Sequence, residues 1–174
     1  MTSNKSAEAL LSSPAFLAIA AHPDVRMLTR LIPRSEYEEA SEGETLRRGL
    51  VIDVEATGLD TACDLVFEIA LVPFLYKDDG SIVRVLEDEV YVGFQDPGEE
   101  LLPEVQALTG RTRAFLKDKH FDLPRIESIV RDSNLLIAHN ASYDRRMLER
   151  LHPIFARKMW ACSMESINWV AEGA

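Results

Sequence analysis

The chain holds only two cysteines, Cys63 and Cys162, in 174 residues. That is too few for a disulfide framework or a four-ligand zinc site, so neither organises the fold. A reducing, cytoplasmic setting is the expectation that follows. No run of about 18 apolar residues occurs, so no membrane span is expected. "AEALLSSPAFLAIAA" (7–21) faintly resembles a secretory leader, but a single upstream Lys and the Ser-Ser-Pro interruption argue against one. No segment repeats. Positive charge is scarce: 19 Lys and Arg against 29 Asp and Glu leave a net charge of −10. This argues against a general nucleic-acid coat.

What is present is an ordinary globular composition, with 47% apolar and 28% charged residues. A chain of this length forms one domain, with room for an extension, and buries roughly two thirds of its unfolded surface. The charge is unevenly placed. Residues 53–100 carry thirteen acidic and two basic residues, whereas 111–158 carry six acidic and eleven basic ones. This asymmetry can set a carboxylate-rich site beside a basic flank for a polyanion; solvated faces with chance clustering are the plainer reading.

Residues 1–48 read as an N-terminal helical extension and linker, with one or two short helices broken at Pro14, Pro23 and Pro33. From residue 49 the period changes. Strands are predicted over 49–56, 64–76, 82–94, 134–139 and 157–163, with "KDDGS" (77–81) as a hairpin turn and Pro73 marking a bulge or an edge. A loop and short helices are expected over 96–120, and amphipathic helices over 123–132 and 142–152. The pattern is an antiparallel three-strand meander followed by alternating helices and strands. That is an α/β mixed sheet with helices on its faces.

"GLVIDVEATGLD" (49–60) puts two carboxylates into an apolar strand. Asp53 and Glu55 point the same way, roughly 6.5–7 Å apart. With Leu50, Val51, Ile52 and Val54 around them, the strand reads as central and buried. Unpaired ionised carboxylates there cost several kcal/mol each, on the order of what a basic partner, a raised pKa or a metal must offset. Gly58 permits a turn, so the pair stands near the strand's C-terminal end, where ligand crevices of α/β sheets lie. In "LIAHNASYD" (136–144) the strand ends near His139, Asn140 is placed to cap a helix starting around Ser142, and Asp144 falls in its first turn. With 134–139 beside 49–56, Asp144 can face the pair. Three converging oxygens suit Mg²⁺ or Mn²⁺ rather than zinc, and two such ions serve phosphodiester hydrolysis. Each residue also has a structural reading. Asp144 suits a helix dipole, His139 a hydrogen bond, Asn140 a cap and Tyr143 a core position.

"DVEATGLD" (53–60) and "LIAHNASYDRRML" (136–148) resemble the first two signature motifs of the DEDD-type 3′–5′ exonucleases, among them proofreading subunits of replicative polymerases and RNA-trimming enzymes. "LLPEVQALTGRT" (101–112) and "WACSMESINW" (160–169) resemble further stretches of that family. The resemblance implies a ribonuclease H-like fold, a five-stranded mixed sheet with helices on both faces, over an exonuclease-like domain at 49–174. It implies Asp53, Glu55 and Asp144 as catalytic metal ligands for two Mg²⁺ or Mn²⁺ ions. It implies Ala56, Thr57, Gly58, Leu59, His139, Asn140 and Tyr143 as contacts to the 3′ end of single-stranded DNA or RNA, with a polymerase or other protein as partner. Two departures stand out. Ala56 replaces a Thr of the usual motif. The late H-x-A-x-x-D motif, which supplies a general base and a fourth carboxylate, is absent: no Asp follows Asp144, and the only later His is His152. The expectation is therefore an exonuclease domain truncated before its last motif and impaired in this chain. The alternatives are a non-catalytic nucleic-acid-binding or scaffold protein on the same fold, and another phosphoesterase.

Overall fold

A computed structural model of the chain describes residues 11–25 and 33–172, so the part of the expected helical extension that falls on 1–10 and 26–32 lies outside the described residues. The chain divides into two compact units, residues 1–33 and 34–174. In the first, helix α1 (Pro14–Ala20) is capped by Ser13, whose hydroxyl accepts the Phe16 N–H. Pro14 therefore begins a helix instead of breaking one, because its missing N–H falls where no intrahelical bond is made.

The second unit is built on a mixed sheet. Its strands are β1 (Arg47–Ala56), β2 (Val66–Tyr76), β3 (Ile82–Val85), β4 (Tyr91–Phe94), β5 (Leu135–Ala138) and β6 (Met159–Cys162). The order is β3-β2-β1-β5-β6, with β4 also paired to β2. β1 and β2 are antiparallel, with Asp53 opposite Ala70 and Glu55 opposite Glu68. β5 runs parallel to β1, and β6 parallel to β5. The helices are α2 (Pro103–Thr109), α3 (Arg113–Leu116), α4 (Leu123–Asp132) and α5 (Ala141–Leu151). The "KDDGS" turn closes through the Lys77 N–H donated to the Ser81 carbonyl.

The single return strand expected over 82–94 is two strands split by a 3₁₀ turn at Glu87–Glu89. Pro73 explains the split. Its carbonyl accepts the Leu86 N–H at 2.8 Å, so its donor-less nitrogen also faces that side. β3 pairs with Phe74–Tyr76 and β4 with Glu68–Leu71, leaving the proline in the gap. Pro73 thus marks neither an edge strand nor a bulge but an interruption in its neighbour.

The main core lies on one sheet face. Leu50, Ile52, Val54 and Ala56 of β1 alternate into it, with Ile126, Ile129 and Val130 of α4 and Met147 and Leu148 of α5. The register shifts between Glu55 and Ala56. Phe67 joins Leu101 and Leu116 in a second, smaller cluster, against which Phe94 and Val105 pack. The reading of β1 as buried on both sides is corrected: Val51 is 43% exposed, and Asp53 is exposed with it. β1 is central in the sheet but covered on one face only.

Close packing of β1 on β2 is tested at Gly49, where any Cβ would collide with the Phe74 ring. Gly49→Val should cost about 1–3 kcal/mol in urea unfolding. Combined with Phe74→Leu it should cost less than the two single changes added together. Simple additivity would mean that the ring does not set the limit.

Candidate functional site

Two backbone features bring the carboxylates to one end of the sheet. Parallel pairing of β1 and β5 (Leu50 opposite Leu136, Val51 opposite Ile137) sends both C-terminal ends to the same edge of the sheet. Asn140 then takes a left-handed conformation (φ 67°), which turns the chain sharply into α5. The helix begins at Ala141, not Ser142, and Asn140 makes no side-chain cap; its Oδ1 accepts from the Ser142 hydroxyl instead. An Asn tolerates αL where most residues do not, and here the turn takes precedence over the cap. Asp144 follows in the first turn and is 4% exposed.

The buried acid is therefore Asp144, while Asp53 stands on the open face and Glu55 is half-buried. Burial pushes the Asp144 carboxyl up to about 6, with the charges of Asp53 and Glu55 adding to the rise and the backbone N–H groups of Asp144 and Val54 opposing it. Shielding from water raises Glu55, with Asp53 and Glu68 adding, and the Arg111 guanidinium draws it back. Asp53 is raised by shielding and by Glu68, and His139 opposes. The three groups thus act on one another electrostatically.

Around them the turn after β1 is tightly held. The buried Thr57 hydroxyl donates to Asp64 Oδ1 (2.9 Å) and accepts the Leu65 N–H (3.1 Å). A Cβ at Gly58 would come within 2.5 Å of Asp64 Oδ2 and would have to displace a carboxylate held by the Thr57 hydroxyl and the Asp60 N–H. The Tyr143 hydroxyl donates to the Gly58 carbonyl at 2.7 Å, tying α5 to the turn. Ala56 is buried in the core. Leu59 is 88% exposed and Leu108 of α2 is 82% exposed. Both line a cavity of about 290 Å³, together with Glu55, Gly58, Val105 and Tyr143. His139 is exposed, its Nδ1 3.1 Å from the Ser163 hydroxyl.

Two residues of the site were not singled out from sequence. Glu68 lies opposite Glu55 on β2, and Arg111 grips it with Nε at 2.7 Å and Nη2 at 2.9 Å. A glutamate inside the apolar run "LVFEIALV" was the available signal.

The donor chemistry fits a hard divalent cation: three carboxylates, with Glu55 raised in part by Asp53 and Asp144 in part by both, are relieved by positive charge between them. As placed, no three His, Cys, Asp or Glu side chains among the described residues stand close enough together to hold an ion.

A mixed α/β sheet with acidic residues at the shared C-terminal ends of β1 and β5 is an arrangement suited to phosphodiester chemistry, and comparison with known proteins supplies the class. The exonuclease family profile (RNase T) matches residues 50–155. The chain belongs to the DEDD-type 3′–5′ exonuclease family. It is 28% identical over 158 residues to the PolC-type DNA polymerase III of Thermotoga petrophila, covering 89% of this chain and 10% of that protein. It is 32% identical over 105 residues to the PolC-type enzyme of Bacillus subtilis, covering 57% of this chain and 6% of that protein. The chain thus spans a tenth or less of these relatives. Exonuclease I of E. coli, in a complex with single-stranded DNA, superposes with a TM-score of 0.51 at 16% identity, covering 68% of this chain and 28% of that one. That likeness supports the ribonuclease H-like fold. Among the described residues, no helix is long and apolar enough to cross a membrane.

Asp144 carries a pH signature. An acid whose folded pKa is raised favours the fold while protonated, and the advantage is lost as pH rises from about 4 through about 6. Without divalent ions, Asp144→Asn should therefore gain stability over the unmutated chain across that window, on the order of 3 kcal/mol by pH 8. The two proteins should be matched at pH 4. Urea midpoints that stay parallel from pH 4 to 8 would show that this carboxyl is not the strained group.

Proposed function

We propose that the chain carries the hydrolytic site of a metal-dependent 3′–5′ exonuclease, which cuts the terminal phosphodiester of single-stranded DNA or RNA and releases nucleoside 5′-monophosphates. The observation that supports this best is the buried Asp144 set against Asp53 and Glu55, within the region that matches the exonuclease profile. Asp53, Glu55 and Asp144 would hold Mg²⁺ or Mn²⁺. When bound, such ions supply Lewis acidity toward the attacking water and the leaving oxygen.

The chain's own residues have positioning roles. The turn at Thr57–Leu59, locked by Asp64 and Tyr143, presents backbone and an exposed Leu59 side chain to the terminal nucleotide. Leu59 and Leu108 give its base apolar contact. His139 and Asn140 stand at the strand-to-helix turn above Asp53, ready to meet the sugar and phosphate. A polymerase is the partner that the PolC-type relatives point to. What this chain does not provide is a general base after Asp144. His152 is the one later histidine, and its Nδ1 accepts the Ile154 N–H. Without such a base, hydrolysis by these residues would lack an assistance typically worth about 10²–10⁴-fold.

The test uses a 5′-labelled single strand with Mn²⁺. The chain should shorten it slowly from the 3′ end, and added imidazole should raise the rate by taking the water's proton. Asp53→Ala and Asp144→Ala should abolish both rates. Mn²⁺ should also raise the melting temperature of the unmutated chain, and Asp53→Ala should suppress that rise. A metal-dependent melting shift with no cleavage, even with imidazole, would favour the non-catalytic binding reading. No shift and no cleavage would overturn the metal site.

A further inference from the structure

Glu68 marks the start of a connected series of contacts leading away from the carboxylates. Arg111 grips Glu68 with two hydrogen bonds, and its guanidinium lies 4.9 Å from the ring centre of Phe94 and 5.1 Å from that of Phe115. The two rings meet edge to face at 5.0 Å. The Lys119 ammonium stands 4.7 Å from the Phe115 ring centre. Glu55, opposite Glu68, is thereby linked to a rim of alternating cations and aromatic rings. We propose that this rim binds the single strand upstream of its 3′ terminus, a base stacking on Phe115 and a backbone phosphate pairing with Lys119. The inference rests on the nuclease reading and adds to it the path by which the strand arrives.

Four observations support it. Phe115 is 41% exposed, although a large apolar ring gains most from burial. Lys119 forms no ion pair among the described residues, so its charge is available. The rim is mounted rigidly: Asp96 accepts hydrogen bonds from the Gly98 N–H (2.7 Å), from Arg113 (2.8 Å) and from the Asp118 N–H (3.2 Å). Asp118 itself is held at φ 60°, a conformation uncommon for a non-glycine residue. Finally, a chain of net charge −10 repels a polyanion over most of its surface, so the strand must approach along a local basic track.

The Lys119 contact does not block stacking. An exposed cation–π contact is worth less than a base stacked on an aromatic ring, so the ammonium can give way to the base and turn to the phosphate. Stacking of this kind is indifferent to sugar, so DNA and RNA strands should behave alike.

The test measures binding of fluorescent dT12 and rU12 with Ca²⁺ present, beside binding of thymidine and uridine 5′-monophosphates. The unmutated chain should bind both 12-mers more tightly than the mononucleotides. Phe115→Ala should lower 12-mer affinity about tenfold, and Phe115→Trp should preserve it. Lys119→Glu should weaken 12-mer binding and reduce the log–log salt slope by about 0.7 for the lost phosphate contact. Because Lys119 is only part-buried and lies outside the core clusters, that variant decides the question if Phe115→Ala fails to fold. Unaltered 12-mer affinity and salt slope in the folded variants would overturn the platform. So would 12-mers binding no better than mononucleotides. Binding of neither by the unmutated chain would overturn the nuclease reading and the platform with it.

Discussion

The short parallel pairing of β1 with β5 is the constraint from which the site follows. It spans only Gly49–Val51 against Leu135–Ile137, yet it fixes the relative direction and register of two segments some 85 residues apart in sequence. Antiparallel pairing would have carried Asp144 to the opposite end of the sheet from Asp53 and Glu55. Here both strands end at one edge, and a left-handed Asn140 supplies the sharp bend that puts the first turn of α5 against β1. The buried faces of β1 and β5 meet α4 and α5 in a common core, so the carboxylate arrangement is enforced by apolar packing on the side away from it.

That arrangement opposes electrostatics. Four acidic groups, Asp53, Glu55, Glu68 and Asp144, share one end of the sheet, and each of the three whose pKa is raised owes part of the rise to another of them. The fold answers in three ways. It keeps Asp53 on the open face of the sheet, it neutralises Glu68 with a two-pronged Arg111, and it lets the one deeply buried acid, Asp144, hold its proton up to about pH 6. A site that ligands would relieve is in tension without them, which is the common condition of functional sites in otherwise well-satisfied folds.

The strands and helices were legible because each rests on a local period: β1 and β2 on alternation, α4 on Ile126, Ile129 and Val130 sharing a face. The grouping of Asp53, Glu55 and Asp144 at one end of the sheet was legible because their spacing matches motifs of a known family, which carries more information than any one residue. What failed were inferences about environment. Val51 looked like core because apolar residues surround it in sequence; its exposure depends on what covers the second face of the sheet, which no local window contains. The break in the third strand depended on which side Pro73 turns its nitrogen, a matter of register. Arg111 and Glu68 escaped notice because their partnership joins residues 43 apart, with no motif to pair them.

The proline gap has a consequence at the margin of the sheet. A long, unbroken strand on the outer side of β2 would present a row of free peptide groups, a template on which another chain could add itself. β3 and β4 are instead four residues each, separated by a 3₁₀ turn of Glu87, Asp88 and Glu89. Two short strands set apart by three negative charges, the first already covered by residues 35–37 (the Tyr37 N–H donates to the Val83 carbonyl and the Val85 N–H to the Ser35 carbonyl), make a poor seed for edge-to-edge growth. A single missing hydrogen in the interior of the sheet thus also shortens the edge that a neighbouring chain could meet.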